Sequence, residues 1–343
     1  MKVMHFHFGK DGGTERFYIN LANAFARRGI SQLSYIRPDR LWRPAVEQAT
    51  AIVESHYRRL SLDGMTLKFR VGRRIRAERP AALIGWTPKA CRLFPEKTSA
   101  LRIARLGDYP PRLDYYRNVD VLVCNAPDIA NHVRELGWTR RVEVISNFTR
   151  MDRVAPVARL SVDTPDDAVV IMAMGRLIER KGFDVLVDAL VRVPGAHLWL
   201  VGKGEEREAL EARATAHGVS DRIRFLGWQQ DVRPFLAACD VFVMPSRFEP
   251  LGNVVLEAWA QDKPVVSTRS QGPLWFMSDG DNGLMTDIDD VEGLAGAIRK
   301  VIENPDLREK LVEGGRRTMR ERFSEEAITD AYLRLIETGS AAT

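Results

Sequence analysis

Short apolar runs alternate with amphipathic helical segments along most of this chain. The opening VMHFHF has the character of a strand, GKDGG that of a loop, and TERFYINLANAFARRG places Phe17, Leu21, Ala24 and Phe25 on one helical stripe. Arg27, Arg28 and Gly29 supply the basic last turn and the glycine with which such a helix ends. Further apolar runs follow at AALIGW, ALRIARLG, VDVLVCN and VEVISN, separated by helical or turn-rich segments such as APDIANHVRELG. Strand and helix in regular alternation predict an α/β fold with a parallel sheet covered on both faces.

The pattern lapses over residues 150–167, RMDRVAPVARLSVDTPDD, and restarts with AVVIMAMG. A domain boundary is therefore placed there: residues 1–152 form a first doubly wound domain and 153–323 a second. The second repeats the scheme with HLWLVG, a charged helix over 205–217, IRFLG, a helix near 231–238, DVFVMPS, a helix over 253–260 and PVVST. Helices are expected over about 290–304 and 306–336, broken near Phe323 and Ser324. Residues 324–343 then supply a final helix, able to cross back to the first domain, and a tail, GSAAT, that reads as disordered.

Length and composition agree with this layout. A chain of 343 residues suits two domains of ordinary size, and 45% hydrophobic with 28% charged residues is a globular balance. No apolar stretch is long enough to span a membrane, and MKVMHFHFGKDGG has no secretory core, so the expected location is cytoplasmic, soluble or peripheral. Cys91, Cys124 and Cys239 stand singly, which supports neither a disulfide framework nor a zinc site. The charge is uneven. Residues 1–150 carry 27 Lys and Arg against 14 Asp and Glu, while the rest carries 24 against 32. A first half of net +13 is suited to something anionic: a membrane surface, nucleic acid or a phosphorylated acceptor. Within it, TLKFRVGRRIRAERP interleaves Lys68, Arg70, Arg73, Arg74, Arg76 and Arg79 with Leu67, Phe69, Val71 and Ile75. That run is either a solvated amphipathic helix on the sheet or a surface attracted to anionic lipid. Nucleic acid fits it less well, since the run lacks a succession of aromatic positions on which bases would stack.

In doubly wound domains ligands bind at the carboxyl ends of the strands, so the loops there are the places to look for chemistry. After the first strand, Gly12 and Gly13 permit close approach of a ligand and precede a helix whose positive end favours an anion. Neither GKDGGTE nor GKGEER completes a dinucleotide fingerprint. After AVVIMAMG comes GRLIERKG, in which Arg176 and Lys181 are placed to converge on a diphosphate. After DVFVMPS comes SRFEPLGNVVLEAWA, with Glu249 and Glu257 eight positions apart. Pro250 and Gly252 break any helix between the two, so Glu249 belongs to a loop. Asn253 is expected as the N-cap of a helix that carries Glu257.

The order GGTER, GRLIERKG, VGKGEERE, IRFLGW, SRFEPLGNVVLEAWA resembles the retaining nucleotide-sugar glycosyltransferases of family 4, including those of bacterial lipopolysaccharide-core type, over nearly the whole chain. The resemblance implies the GT-B architecture, two Rossmann-like domains facing a central cleft, and a UDP- or GDP-sugar donor. It implies that Glu249 contacts the sugar and Glu257 the donor ribose, and that amides near Leu251 and Gly252 hold the diphosphate, with Asn253 beginning the helix beside them. Arg176 and Lys181 match the pair that neutralises the diphosphate, and Gly13, beside Gly12, the glycine near the transferred sugar. Gly202 and Trp228 fall in the two motifs between, on the nucleotide side. Asp108, in RIARLGDYP, lies where relatives carry a His or Asp beside the sugar, with Asp11 as the other candidate; His5 and His7 read as structural.

With Arg176, Lys181 and helix ends to stabilise a leaving phosphate, no metal or cofactor is expected beyond the donor itself. The acceptor is expected to be a glycolipid at an anionic membrane, with no nucleic acid partner and no oligomeric state specified. One departure stands out: where relatives carry a glutamate after Gly-Pro, QGPLWF has Leu274, Trp275 and Phe276. A nucleotide-sugar epimerase, transfer to a soluble small acceptor, and a silent nucleotide-sugar binding protein are the competing readings.

Overall fold

In the computed structural model, which describes residues 1–9, 12–57 and 62–340, seven parallel strands order the first part of the chain. They are β1 (Lys2–His7), β2 (Ser31–Ile36), β3 (Ala51–Glu54), β4 (Ala82–Gly85), β5 (Leu101–Leu106), β6 (Val121–Cys124) and β7 (Arg141–Val144), arranged β3-β2-β1-β4-β5-β6-β7. Successive residues of each inner strand serve opposite faces. Val3, Ile84 and Ile103 pack with Phe17, Leu21 and Phe25 of helix Gly13–Arg27 and with Tyr332 and Ile336 of helix Glu325–Ser340. Met4, Leu83 and Ala104 pack with Leu67, Val71 and Ile75 of helix Leu62–Glu78 and with Ile129 and Val133 of helix Pro127–Glu135. Burying both faces explains why these strands read as nearly unbroken apolar runs.

β2, sequence SQLSYI, does not read as such a run, although all but its first residue is buried. Its polar side chains are satisfied internally. Gln32 donates to the carbonyls of Ala22 and Ala49 and meets His5 Nε2 at 3.0 Å, while Ser34 accepts from Tyr18 at 2.7 Å and contacts Thr50 at 2.9 Å. A strand can hide polar residues in this way when every one finds a partner.

Six more parallel strands follow: β8 (Val169–Met174), β9 (Ala196–Val201), β10 (Ile223–Gly227), β11 (Val241–Met244), β12 (Val265–Thr268) and the three-residue β13 (Leu284–Thr286), in the order β10-β9-β8-β11-β12-β13. Their core joins Ile171, Leu198 and Val243 to Leu186, Leu294 and Ile298. Helix Pro305–Arg322 ends at Phe323, and helix Glu325–Ser340 follows. The chain divides into two compact units, Met1–Phe148 with the segment from Ser324 onward, and Thr149–Phe323. Of the tail expected to be disordered, Gly339 and Ser340 close the last helix and residues 341–343 lie outside the described set. Among the described residues no helix is long and apolar enough to cross a membrane.

In each sheet the direction of winding reverses once, between β1 and β4 and between β8 and β11. Such a reversal splays the loops at the strands' carboxyl ends and opens a crevice there. The predicted site segments lie in those loops.

Candidate active site

The second unit brings the β8 and β11 loops into direct contact. After β8 the chain makes a short turn over Glu179–Lys181 and reaches Gly182, which caps helix Phe183–Leu190 in a left-handed conformation with φ of 64°. A Cβ at Gly182 would lie 2.1 Å from the carbonyl oxygen of Pro245, so only glycine lets the two loops approach this closely. The Arg247 and Phe248 amides then donate to the carbonyl of Arg180, at 2.9 and 3.2 Å.

Lys181 and Glu249 meet across this seam. The Lys181 ammonium and the Glu249 carboxylate form an ion pair, with the two side chains 12% and 13% exposed. Two residues predicted for one site, 68 positions apart, are therefore in contact. The Glu249 loop is held from its other side by the β12 loop: Glu249 N–H donates to Gln271 Oε1 at 3.2 Å, and Gly272 N–H donates to the Glu249 carbonyl at 2.8 Å. Sequence reasoning missed Gln271, whose contribution depends on a loop 22 residues away.

Sequence reasoning also missed Arg247 and Asp184. The Arg247 guanidinium grips both oxygens of Asp184, at 2.9 and 2.7 Å, and donates to the Glu179 carbonyl at 2.7 Å and to Asp289 at 2.6 Å. Hydrogen bonding to Asp184 raises the basicity of the guanidinium further. Burial alone would raise the Asp184 carboxyl, but the hydrogen bonds and charge of Arg247 outweigh it and hold the group below its ordinary range.

Gly252, not Asn253, caps helix Asn253–Ala260, so the expected cap moves back by one residue. The cause is conformational: the backbone at 252 has φ of 89°, which glycine takes without strain, and Asn253 becomes the first helical residue. Leu251 is buried, while Glu257, one turn into the helix, is half-buried. Arg176 is exposed in the β8 loop and, among the described residues, makes no ion pair. Gly202 follows β9, where a Cβ would lie 1.8 Å from the Gly175 carbonyl oxygen; this close approach joins the β8 and β9 loops. Trp228 follows β10 and is 58% exposed. Beyond β12, helix Gln271–Phe276 leaves Leu274 exposed, buries Phe276 and sets Trp275 against Phe323 and under the Arg322 guanidinium.

In the first unit, Gly12 caps helix Gly13–Arg27. Asp108 is exposed beyond β5, and its carboxylate accepts the Tyr109 amide at 2.9 Å, closing its own turn. Asp11 lies outside the described residues. His5 is a core group: the Trp86 indole donates to its Nδ1 at 3.2 Å, and burial lowers its pKa to about 4. His7 is fully buried and lowered to about 3, again chiefly by burial. Among the described residues no three His, Cys, Asp or Glu side chains are grouped as a metal ion would require.

Two successive parallel doubly wound sheets match the GT-B fold class. The solved chain of Anabaena Alr3699/HepE in complex with UDP-glucose shares this fold, with a TM-score of 0.83 at 22% identity, covering 98% of this chain and 100% of that one. The model of the glycosyl transferases group 1 family matches residues 158–318. Two Rhizobium meliloti proteins, the lipopolysaccharide core biosynthesis glycosyltransferases LpsE and LpsD, are 57% and 50% identical over 336 and 341 residues, covering 98% and 99% of this chain and 99% of each relative. The chain belongs to this glycosyltransferase family, as the resemblance in its motifs implied.

Proposed function

We propose that the chain is a retaining, metal-independent glycosyltransferase that moves a sugar from a UDP- or GDP-sugar onto a lipopolysaccharide-core glycolipid at an anionic membrane surface. The observation that carries this reading is the Lys181–Glu249 pair, set in a seam between loops at the reversal point of the second sheet. A donor diphosphate offers Lys181 a second anionic partner, and Glu249 is then available to the sugar hydroxyls.

Under this reading Arg176, exposed and without an ion pair among the described residues, joins Lys181 on the diphosphate. The amides at Leu251, Gly252 and Asn253 add donors at the positive end of a helix. Glu257 serves the ribose, and Gly202 and Trp228 the nucleotide side. Gly12, Gly13 and Asp108 belong to the acceptor half of the reaction. The acceptor hydroxyl attacks the anomeric carbon from the face that the diphosphate leaves. The C–O bond to phosphate breaks with its electron pair on the phosphate oxygen, which takes the hydroxyl proton, and the configuration is retained. Lys181 and Arg176 stabilise the charge that develops on that oxygen.

The acceptor class is supported by the names of LpsE and LpsD, and the donor class by the UDP-glucose complex of a protein of like fold. The membrane is supported by helix Leu62–Glu78. Leu67, Val71 and Ile75 pack inward on one stripe, whereas Lys68, Arg70, Arg73, Arg74 and Arg76 are exposed beside Phe69, itself 68% exposed. An aromatic ring among guanidinium groups suits the boundary between lipid headgroups and acyl chains.

The test is transfer from labelled UDP-glucose, UDP-galactose and GDP-mannose to truncated lipopolysaccharide core in EDTA, followed by the anomeric configuration of the product. A retained linkage in lipid-extractable product supports the proposal. An inverted linkage, or product only when metal is restored, overturns the corresponding part of it.

A further inference from the structure

We infer that Arg247 is a positioning residue for glycosyl transfer, a clamp that keeps the Lys181 loop and the Glu249 loop in fixed register. The inference rests on the reading of Lys181 and Glu249 given above, and goes beyond it by assigning a role to a side chain that reaches no substrate.

The side-chain hydrogen bonds of Arg247 join its own loop, which carries Glu249, to the segment around Lys181 and to Asp289. Arg247 lies two residues before Glu249. Its partners Glu179, Arg180 and Asp184 all lie within three residues of Lys181, and they are held through the backbone carbonyls of the first two and both carboxylate oxygens of the third. Nε is taken by Asp289, beyond β13, which stands in a left-handed conformation with φ of 62°. A non-glycine residue is held in that conformation when its surroundings over-determine it. Every nitrogen of the guanidinium is thus engaged within the protein, and the side chain is only 25% exposed.

The chemistry selects arginine rather than a generic cation. Three nitrogens in one plane satisfy the carboxylate of Asp184 with two parallel bonds while a carbonyl and a second carboxylate take two more of the five N–H groups. Lysine keeps the charge but has a single nitrogen, and it cannot span Asp184, Glu179 and Asp289 together. Lys181 and Glu249 come from different loops, so their separation is set by whatever ties the loops. Misplacement of a reacting group by about 1 Å can cost about 100-fold in rate. Arg247 is the tie with the most directional contacts, and the Gly182–Pro245 approach is the pivot beside it.

The experiment compares Arg247→Lys, Asp184→Asn and their double variant with Lys181→Ala and Glu249→Gln, using lipopolysaccharide-core acceptor and whichever of UDP-glucose, UDP-galactose or GDP-mannose turns over fastest. A clamp predicts that Arg247→Lys lowers kcat by about 10–100-fold, with donor KM changed about threefold or less. Asp184→Asn should act in the same direction, and the double variant should be no worse than Arg247→Lys alone. Assays run well below each variant's melting temperature separate this from loss of folded protein. If Arg247→Lys and Asp184→Asn lose stability but keep kcat within about twofold while Lys181→Ala is impaired, Arg247 is only structural and the inference falls, leaving the site reading intact. If Lys181→Ala and Glu249→Gln both keep full turnover, the site reading falls and the clamp with it. Should Arg247→Lys fail to fold, Asp184→Asn and Asp289→Asn make the same comparison, and normal kcat in both overturns the inference.

Discussion

Lys181 and Glu249 form an ion pair in which each side chain is more than four-fifths buried. Removing two charges from water is compensated only while each has the other, or another partner of equal quality. The pair therefore ties the stability of the second unit to the same two groups that are assigned to the donor.

Lys181→Ala should leave the Glu249 carboxylate uncompensated and destabilise the protein by roughly 1–3 kcal/mol. The double variant Lys181→Ala, Glu249→Gln should regain part of that loss, because it removes the stranded charge. Chemical denaturation of the native chain, Lys181→Ala, Glu249→Gln and the double variant checks this. A double variant that is as unstable as the sum of the single ones would mean that the two groups do not depend on one another.

The pair also marks the limit of what could be read from the sequence. That Arg176, Lys181 and Glu249 lie in loops after strands was legible, since apolar runs that end at a glycine, as at Gly175, or at a proline, as at Pro245, announce strand ends in a doubly wound fold. That Lys181 and Glu249 touch was not, because the contact depends on Gly182 allowing Pro245 to approach, and neither residue signals the other. Arg247 carried no signal at all: a lone arginine acquires meaning only from Asp184, 63 residues earlier. β2 was missed because Gln32 and Ser34 look like surface residues until their buried partners His5, Tyr18 and Thr50 are known. β13 was missed because three residues are too few to show a period. The cap at Gly252 was placed one residue late because Asn253 is the better capping side chain, whereas the backbone there required a left-handed residue.

His5 and His7 predict how the first unit responds to acid. Their pKa values, about 4 and about 3, lie below the ordinary 6.5 because burial disfavours the charged ring. Below pH 6.5 the unfolded chain takes up protons that the native chain refuses. Their contribution is therefore complete above pH 6.5 and is lost as pH falls toward 4 for His5 and 3 for His7, at about 1.4 kcal/mol per pH unit for each ring. His5→Gln should flatten the fall in stability between pH 6.5 and 4.5 relative to the native chain. Parallel curves would contradict the assignment of His5 as a buried neutral group.

The exposed face of helix Leu62–Glu78 predicts binding to vesicles that contain anionic lipid. Each Lys or Arg near such a surface contributes about 1 kcal/mol, screened over about 8 Å at physiological salt. Changing Arg73 and Arg76 to Gln should lower partitioning by about tenfold or more at low salt, with less difference at high salt. Phe69→Ala should weaken binding in a way that salt does not change, since it removes an apolar contact. Sedimentation with liposomes of stated phosphatidylglycerol content measures both. Equal recovery of native and variant chains would make this a solvated helix face.

If Lys181 holds the donor diphosphate and Glu249 the sugar, nucleotide binding separates the two roles. Titration calorimetry of UDP and GDP, alone and as UDP-glucose, UDP-galactose and GDP-mannose, would be run on the native chain, Lys181→Ala and Glu249→Gln. A lost charge-assisted contact to phosphate is worth about 1.5–3 kcal/mol, so Lys181→Ala should weaken the free nucleotide by about tenfold or more. Glu249→Gln should bind free nucleotide within about threefold of native and lose only the added affinity that the sugar confers. Free nucleotide that binds Lys181→Ala as tightly as the native chain, or that loses as much affinity in Glu249→Gln as the sugar nucleotide does, would contradict the account.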